Sequence, residues 1–207
     1  MTRPLLLAAL VAVAAPAAVA QTTIGLRAGI NTSFWSGPDA PGTDARLGVT
    51  GGLVARYQAT PTVGIQAEAL YSQKGVRDES IIDDEGTYEL DYVEIPVLVR
   101  LGVPVSPFAD AGVFAGPSVQ IPLSASFDSD PTTGLADIDL DEAVRTGFGV
   151  TVGADYYAGP FGVDLRYTAS LSDTFDADLL LDADTEDLFL DVKNQVFSVT
   201  LGYRIRG

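Results

Sequence analysis

A strict alternation of apolar and polar side chains between Val93 and Leu101 limits what this chain can fold into more than any other feature of its sequence. Every second residue from Val93 to Leu101 is apolar, and the residues between them include Glu94 and Arg100. Because neighbouring side chains of a β-strand point to opposite faces, this period of two predicts a strand with one wholly apolar face. The pattern recurs along the chain, and we predict eight strands, over residues 23–31, 47–57, 63–73, 88–101, 107–116, 145–157, 161–171 and 192–206.

The connections between these strands alternate between short and long. Short turns are predicted at 59–62, at Gly102–Ser106 and at 158–160, and long polar loops at about 32–46, 74–87, 117–144 and 172–191. Transmembrane barrels have short periplasmic turns and longer outer loops. We therefore predict an all-β fold, an eight-stranded antiparallel up-and-down transmembrane β-barrel in the bacterial outer membrane, with both chain ends on the periplasmic side.

Charged residues within the strands fall on the face opposite the apolar one, five arginines and five acids. A buried charge is costly alone, and pairing with an opposite charge offsets much of that cost. This balance predicts a structural charge network inside the barrel and an apolar face toward lipid. The predicted network is Arg27, Arg56, Glu68, Glu94, Arg100, Asp110, Asp155, Asp164, Arg166 and Arg204. Aromatic residues near the strand ends fit the membrane–water boundary; they are Tyr57, Tyr71, Tyr156, Phe161, Tyr167 and Tyr203.

Two other classes of protein stay open at this point, because the alternation alone does not say which face is inside. A soluble periplasmic β-barrel that binds a small apolar ligand would place the apolar face inward. A narrow channel or an enzyme would use the polar interior for transport or chemistry. The balance of the interior charges and the predicted signal peptide favour the membrane barrel over the soluble one. An ion conductance, or a buried carboxylate with a strongly raised pKa beside a cavity, would support the channel or the enzyme.

The first 20 residues have the pattern of a signal peptide. Arg3 precedes an apolar run, Leu5–Ala15, and the small residues Ala18 and Ala20 mark a cleavage site. The run is shorter than the ~20 residues that a membrane-spanning helix needs. We therefore predict a signal peptide over 1–20, an outer-membrane β-barrel domain over 21–207, and export from the cytoplasm.

The chain has no histidine and no cysteine. Serine–histidine and cysteine–histidine nucleophile pairs, and zinc sites with those ligands, are therefore excluded. Glu68 and Glu94 as a glycosidase carboxylate pair are disfavoured against a role as partners of interior arginines. A net charge of −16 argues against binding to nucleic acid. We expect no enzymatic activity and no cofactor.

Two acidic runs in the predicted loops were weighed as calcium ligands. Neither has the glycine after the third acid and the final glutamate of a calcium-binding loop. A solvated acidic surface is therefore favoured, with loop-bound Ca²⁺, or a metal bridge to lipopolysaccharide phosphates, as the alternative. The runs are Asp137, Asp139 and Asp141, and Asp182, Asp184 and Glu186.

Four segments, taken in chain order, resemble the PorT-like family of small outer-membrane β-barrels. They are LRAGINTSFW, QAEALYSQKG, DYVEIPVLVRLG and NQVFSVTLGYRI, and the third carries the tyrosine–x–glutamate–isoleucine–proline pattern at Tyr92–Pro96. The resemblance covers nearly all of the chain after the predicted signal peptide. It implies an outer-membrane barrel of diderm bacteria and allows a role in a secretion or surface-assembly system, through protein partners of the cell envelope.

These observations together lead us to expect a non-enzymatic structural or interaction barrel with acidic outer loops. Its expected surroundings are outer-membrane lipid and lipopolysaccharide, and we expect a monomer. Because eight strands enclose an interior that side chains fill, a general diffusion pore is not expected.

Overall fold

The computed structural model describes residues 21–37, 44–81, 84–129, 138–139, 144–172 and 192–206. Eight long strands and one two-residue strand make up the described part of the chain. They are β1 (Gln21–Ser36), β2 (Asp44–Gln58), β3 (Val63–Ile81), β4 (Asp84–Ser106), β5 (Ala109–Ser129), β6 (Ile138–Asp139), β7 (Gly147–Ala158), β8 (Phe161–Ser170) and β9 (Lys193–Arg206). No helix in these ranges is long and apolar enough to cross a membrane.

The eight long strands form a closed antiparallel barrel. Each pairs with its neighbours in chain order, β5 pairing with β7, and the ring closes because β1 pairs with both β2 and β9. Ile24, for example, lies between Ala55 of β2 and Ile205 of β9. β6 pairs only with the far part of β5. Closure leaves no strand edge within the ring, which is what a sheet needs in lipid, and the predicted eight-stranded barrel is confirmed.

The two faces of the barrel have opposite character. Outward apolar side chains are widely exposed, among them Leu53 at 56%, Val99 at 53% and Leu201 at 70%, whereas the inward Arg27 and Arg100 are each only 3% exposed. A soluble barrel that binds an apolar ligand needs the reverse arrangement, so that alternative is wrong. The apolar face is stabilised by lipid, and the inward charges by one another.

The outward apolar face of β4 has the height of a membrane. It runs from Val93 to Val105, about 40 Å along the strand at ~3.3 Å per residue. With a strand tilt of about 40°, this is about 30 Å along the membrane normal, close to the roughly 25 Å apolar band of outer-membrane barrels. At Asp91 the outward face becomes polar.

Four predicted connections were wrong in their extent. β1 continues to Ser36 and β2 begins at Asp44, both within the predicted loop 32–46. β3 and β4 continue through most of the predicted loop 74–87 and stay paired as far as Ile81 with Asp84, and β5 continues to Ser129. The predicted turn at Gly102–Ser106 is part of β4, and the chain turns at 107–108 instead. Beyond the lipid band the outward face meets water, so the apolar–polar alternation disappears from the sequence although backbone pairing persists.

The short turns at 59–62, 107–108 and 159–160 lie at the same end of the barrel as the first residues of β1 and the last of β9. We call this the turn end, and the opposite one the loop end. The predicted signal peptide (1–20) and most of the predicted acidic loops (130–137, 140–143 and 173–191) lie outside the described residues, as do the side chains weighed as calcium ligands.

A closed barrel of this kind predicts heat-modifiable migration in an SDS gel. Protein extracted from membranes and loaded unboiled is expected to migrate at a different apparent mass from a boiled sample, because the closed set of strand pairs has no edge at which SDS begins to open it. One mobility under both conditions would contradict the closed barrel. Boiling before loading provides the unfolded reference for each sample.

Candidate functional site: the barrel interior

All ten residues of the predicted charge network point into the barrel. Eight of them are at most 7% exposed. The other two lie at the turn end, where the side chains of Asp110 and Arg204 are 31% and 20% exposed. They are ordered along the barrel axis by the strands that carry them, and together with Lys74 they form ion-pair clusters at three levels.

The lower cluster lies nearest the turn end and is a chain of alternating charges. The Asp155 carboxylate accepts hydrogen bonds from Arg56 Nη2 at 2.9 Å and from Arg100 Nε at 2.8 Å. Arg100 Nη2 also donates to Asp110 at 2.6 Å, and Asp110 accepts from Arg204 Nη1 at 2.6 Å. Three guanidinium groups thus share two carboxylates.

The middle cluster is balanced, with two arginines and two acids. Arg166 Nη1 donates to Glu68 at 2.8 Å, and its Nε donates to Asp164 at 2.8 Å. Arg27 Nη1 lies 2.9 Å from Asp164 and 3.5 Å from Glu68. Gln66 joins this cluster to the lower one, because its Oε1 accepts from Arg56 and its Nε2 donates to Glu68. One connected network therefore extends from the turn end to the middle of the barrel.

The upper cluster contains a cation that the sequence analysis missed. Lys74 is 0% exposed and its ammonium forms an ion pair with Glu94. It also donates to Gln120 Oε1 at 3.0 Å and lies 4.7 Å from the centre of the Tyr92 ring. Lys74 falls in the predicted loop 74–87, although its position has the same parity as Gln66 on β3. Counting that parity one residue further would have identified it.

Apolar side chains pack together above the upper cluster, at the loop end. They come from β1, β3, β4 and β5 and from the segments that precede β7 and β9, so they reach the interior from several sides of the ring. Each is at most 7% exposed. We call this group the apolar cluster; it is Trp35, Val76, Leu90, Tyr92, Ala125, Val144 and Val192, with Tyr88 partly buried against it.

Glycines on the inward face make room for the large side chains of the lower cluster. A Cβ built on Gly112 would lie 2.6 Å from Cζ of Arg100, and Gly102 faces the same guanidinium. A Cβ on Gly202 would lie 2.6 Å from the hydroxyl of Tyr157. That ring in turn lies under the guanidinium of Arg204, 3.5 Å from its centre. Inward glycines are therefore part of the lower cluster, because any larger residue would displace a charged or aromatic group.

Gly112→Ala is expected to lower the free energy of unfolding by about 1–3 kcal/mol, the usual effect of overpacking a filled interior. The added methyl group would press on a guanidinium that two carboxylates hold in place. Gly147→Ala is the matched control, because its Cβ would meet only Ser172 Oγ at 3.0 Å and then nothing nearer than 3.7 Å. Urea unfolding from lipid vesicles measures both variants, and equal losses would contradict this packing argument.

Glu68 and Glu94 do not share a partner. Glu68 contacts Arg27 and Arg166, whereas Glu94 contacts Lys74. Each carboxylate has its own cation, which is typical of structural ion pairs. The described residues contain no group of three or more acidic side chains arranged to hold a metal ion.

Residues 19–176 match the model of a family described as the outer membrane protein beta-barrel domain. The chain belongs to this family. Members take their name from the membrane in which the barrel lies, and the protein is located in the bacterial outer membrane. Since barrels of this membrane have short turns in the periplasm, the turn end faces the periplasm and the loop end faces outward. No curated protein matches the chain by sequence.

Solved structures with a similar fold include three small outer-membrane proteins. They are Neisserial surface protein A (13% identity, 88% of this chain and 97% of that one, TM-score 0.49); OprG of Pseudomonas aeruginosa (11%, 90% and 97%, 0.49); and outer membrane protein W of E. coli (18%, 89% and 98%, 0.43). At these identities the similarity concerns the fold alone.

Proposed function

We propose that this protein is a non-enzymatic outer-membrane barrel whose interior serves stability and whose loop end binds other proteins of the cell envelope. The resemblance to the PorT-like family supports a role in a secretion or surface-assembly system. The filled interior is the observation that carries the proposal. Ion-pair clusters occupy the lower, middle and upper levels, and the apolar cluster lies above them.

The packed clusters argue against the two functions that small barrels perform from within, transport and catalysis. Transport needs a continuous water path, and the close packing of the apolar cluster, whose members are each at most 7% exposed, argues against such a path at the loop end. Catalysis needs an acid or base that is available to a substrate, whereas Glu68, Glu94, Asp155 and Asp164 are each engaged with a cation. The absence of histidine and cysteine agrees with this. The outer surfaces of the barrel are then the parts that are available to bind a partner.

The outward surface beyond the lipid band is polar and built on paired strands. Tyr71 Oη donates a hydrogen bond to Asp91 at 2.8 Å, and Gln73 Nε2 donates to Tyr71 Oη at 3.0 Å. Ser124 of β5 is exposed beside the same aspartate. Paired backbone holds these groups in place at the loop end. The negative charge of Asp91 and of the acidic runs in the sequence favours a partner with a basic surface.

Photo-crosslinking in cells tests where this partner binds. A photoreactive residue replacing Ser124 is expected to give a discrete protein adduct, whereas the same residue at Thr60, in the turn between β2 and β3, is the matched control at the other end. Neutralising Asp91 as Asp91→Asn is expected to reduce the adduct without changing the amount of folded barrel. An adduct at Thr60 alone would contradict the proposed surface.

Loss of the chain from cells is expected to reduce secreted or surface-exposed protein while the permeability of the outer membrane to small solutes is unchanged. The permeability measurement distinguishes an interaction role from a role in transport. A stable single-channel conductance of the purified chain in a planar bilayer would contradict the proposal and would favour the narrow channel.

A further inference from the structure

The interior opens at the turn end into a cavity of about 1230 Å³. Small-molecule sites usually enclose roughly 300–1,000 Å³, so the space is large enough for a ligand. We call it the vestibule. Its wall is formed by the turns at the periplasmic end and by the adjoining strand ends, and it includes Arg56, Arg100 and Arg204 but, among the described lining residues, only one acid, Asp110.

The charge of the lower cluster is not balanced. Among the described residues, three guanidinium groups against Asp110 and Asp155 leave an excess of one positive charge. Arginine stays protonated in proteins, so none of the three loses its charge to relieve this excess. The middle and upper clusters, by contrast, are balanced, and the whole chain carries −16. An excess positive charge beside a cavity is offset most simply by a bound anion.

Two arginines of the vestibule, Arg56 and Arg100, each have a terminal nitrogen that does not bind these carboxylates. The hydrogen bonds of Arg56 and Arg100 to the lower-cluster acids use Nε and Nη2. Their Nη1 atoms take no part in those bonds. Nη1 of Arg100 packs closely against Gly102, which lines the vestibule, because a Cβ built on this glycine would overlap with that nitrogen.

The guanidinium groups are also held in place before any ligand arrives. Arg204 lies 3.5 Å from the centre of the Tyr157 ring, and Arg56 lies 5.2 Å from it. Donors fixed in advance bind an anion without the entropic cost of ordering long side chains. The hydroxyl groups of Thr22, Thr23 and Ser106 line the same space.

We propose that the vestibule binds an anion that carries a phosphate group. Guanidinium forks match phosphate oxygens, and a phosphate offers acceptors in three directions, whereas a carboxylate offers them in one plane. The phosphate belongs either to a soluble ester of the periplasm or to a phospholipid headgroup of the inner leaflet. The second source is accessible because the lipid-facing Val103 and Ile205 form part of the rim.

Calorimetric titration of the full folded chain with inorganic phosphate tests this proposal. The protein is held in a maltoside detergent and in phosphate-free buffer, so that no other phosphate competes. Arg204→Gln removes the excess positive charge of the vestibule and is therefore expected to weaken phosphate binding roughly tenfold or more. The matched control is Arg46→Gln, at the loop end, where Arg46 pairs with Glu89; it is expected to bind phosphate like the parent.

Asp110→Asn distinguishes a phosphate-binding site in the vestibule from a structural effect of losing Arg204. Removing this carboxylate raises the positive excess of the vestibule, so phosphate is expected to bind more tightly, the opposite sign to Arg204→Gln. Heat-modifiable migration shows which variants are folded. The proposal is overturned if the parent does not bind millimolar phosphate, if Arg46→Gln weakens binding as much as Arg204→Gln, or if Asp110→Asn weakens it.

Phosphatidylglycerol added to the micelles distinguishes the two sources. Displacement of inorganic phosphate by this lipid, with the same dependence on Arg204, supports the headgroup. Phosphate binding that is unchanged by the lipid supports a soluble ester.

Discussion

Asp155→Leu is expected to lower the free energy of unfolding by about 3–5 kcal/mol, the range for breaking a buried ion pair from one side. The Asp155 side chain is fully buried and holds both Arg56 and Arg100. Without it, three guanidinium groups are left with the single carboxylate of Asp110. Since arginine stays protonated at any accessible pH, the protein has no way of removing the unpaired charge. Equilibrium unfolding in urea from lipid vesicles measures the loss.

Asp91→Asn is the control for this prediction. Asp91 lies on the outward face beyond the lipid band, where Tyr71 donates to it. Exposed polar substitutions usually change stability by no more than about 0.5 kcal/mol. A loss in Asp155→Leu that is no larger than the loss in Asp91→Asn would show that the interior charges are not coupled as the distances indicate.

Val99→Arg is expected to cost about 2–4 kcal/mol, whereas Val105→Arg is expected to cost about 0–1 kcal/mol. Val99 lies midway along the outward apolar face of β4, between Ile65 of β3 and Ala115 of β5. Val105 has the same residue type and a similar exposure, 59% against 53%, but lies at the turn end. The difference between the two variants therefore reports depth in the bilayer.

The same unfolding measurement from vesicles compares these two variants. An arginine at the mid-plane is far from both headgroup regions, whereas an arginine at the turn end reaches water directly. Equal costs at both positions would contradict the assigned lipid band. Thr151 is not a suitable control. It faces inward, and an arginine there would add steric effects to the effect of charge.

The sequence by itself determined the strand architecture, and it favoured one direction of the faces without deciding it. The alternation around Val93–Leu101 and its repeats require strands, because only a period of two places Glu94 and Arg100 on one side. The equal numbers of strand arginines and acids favoured the polar face as the interior. Such patterns can be recognised in the sequence because the alternation of faces within one strand does not depend on which strands pair with it.

Strand ends and interior partners depended on the tertiary structure. Asp155 and Arg56 are 99 residues apart and meet only because the ring brings β7 opposite β2. Lys74 is an interior cation because β3 continues past the lipid band, where the outward residues are no longer apolar. The glycines that make room for Arg100, and the positive excess of the vestibule, likewise follow from closure. Pairing across a barrel is set by register and shear, and these depend on all eight strands at once.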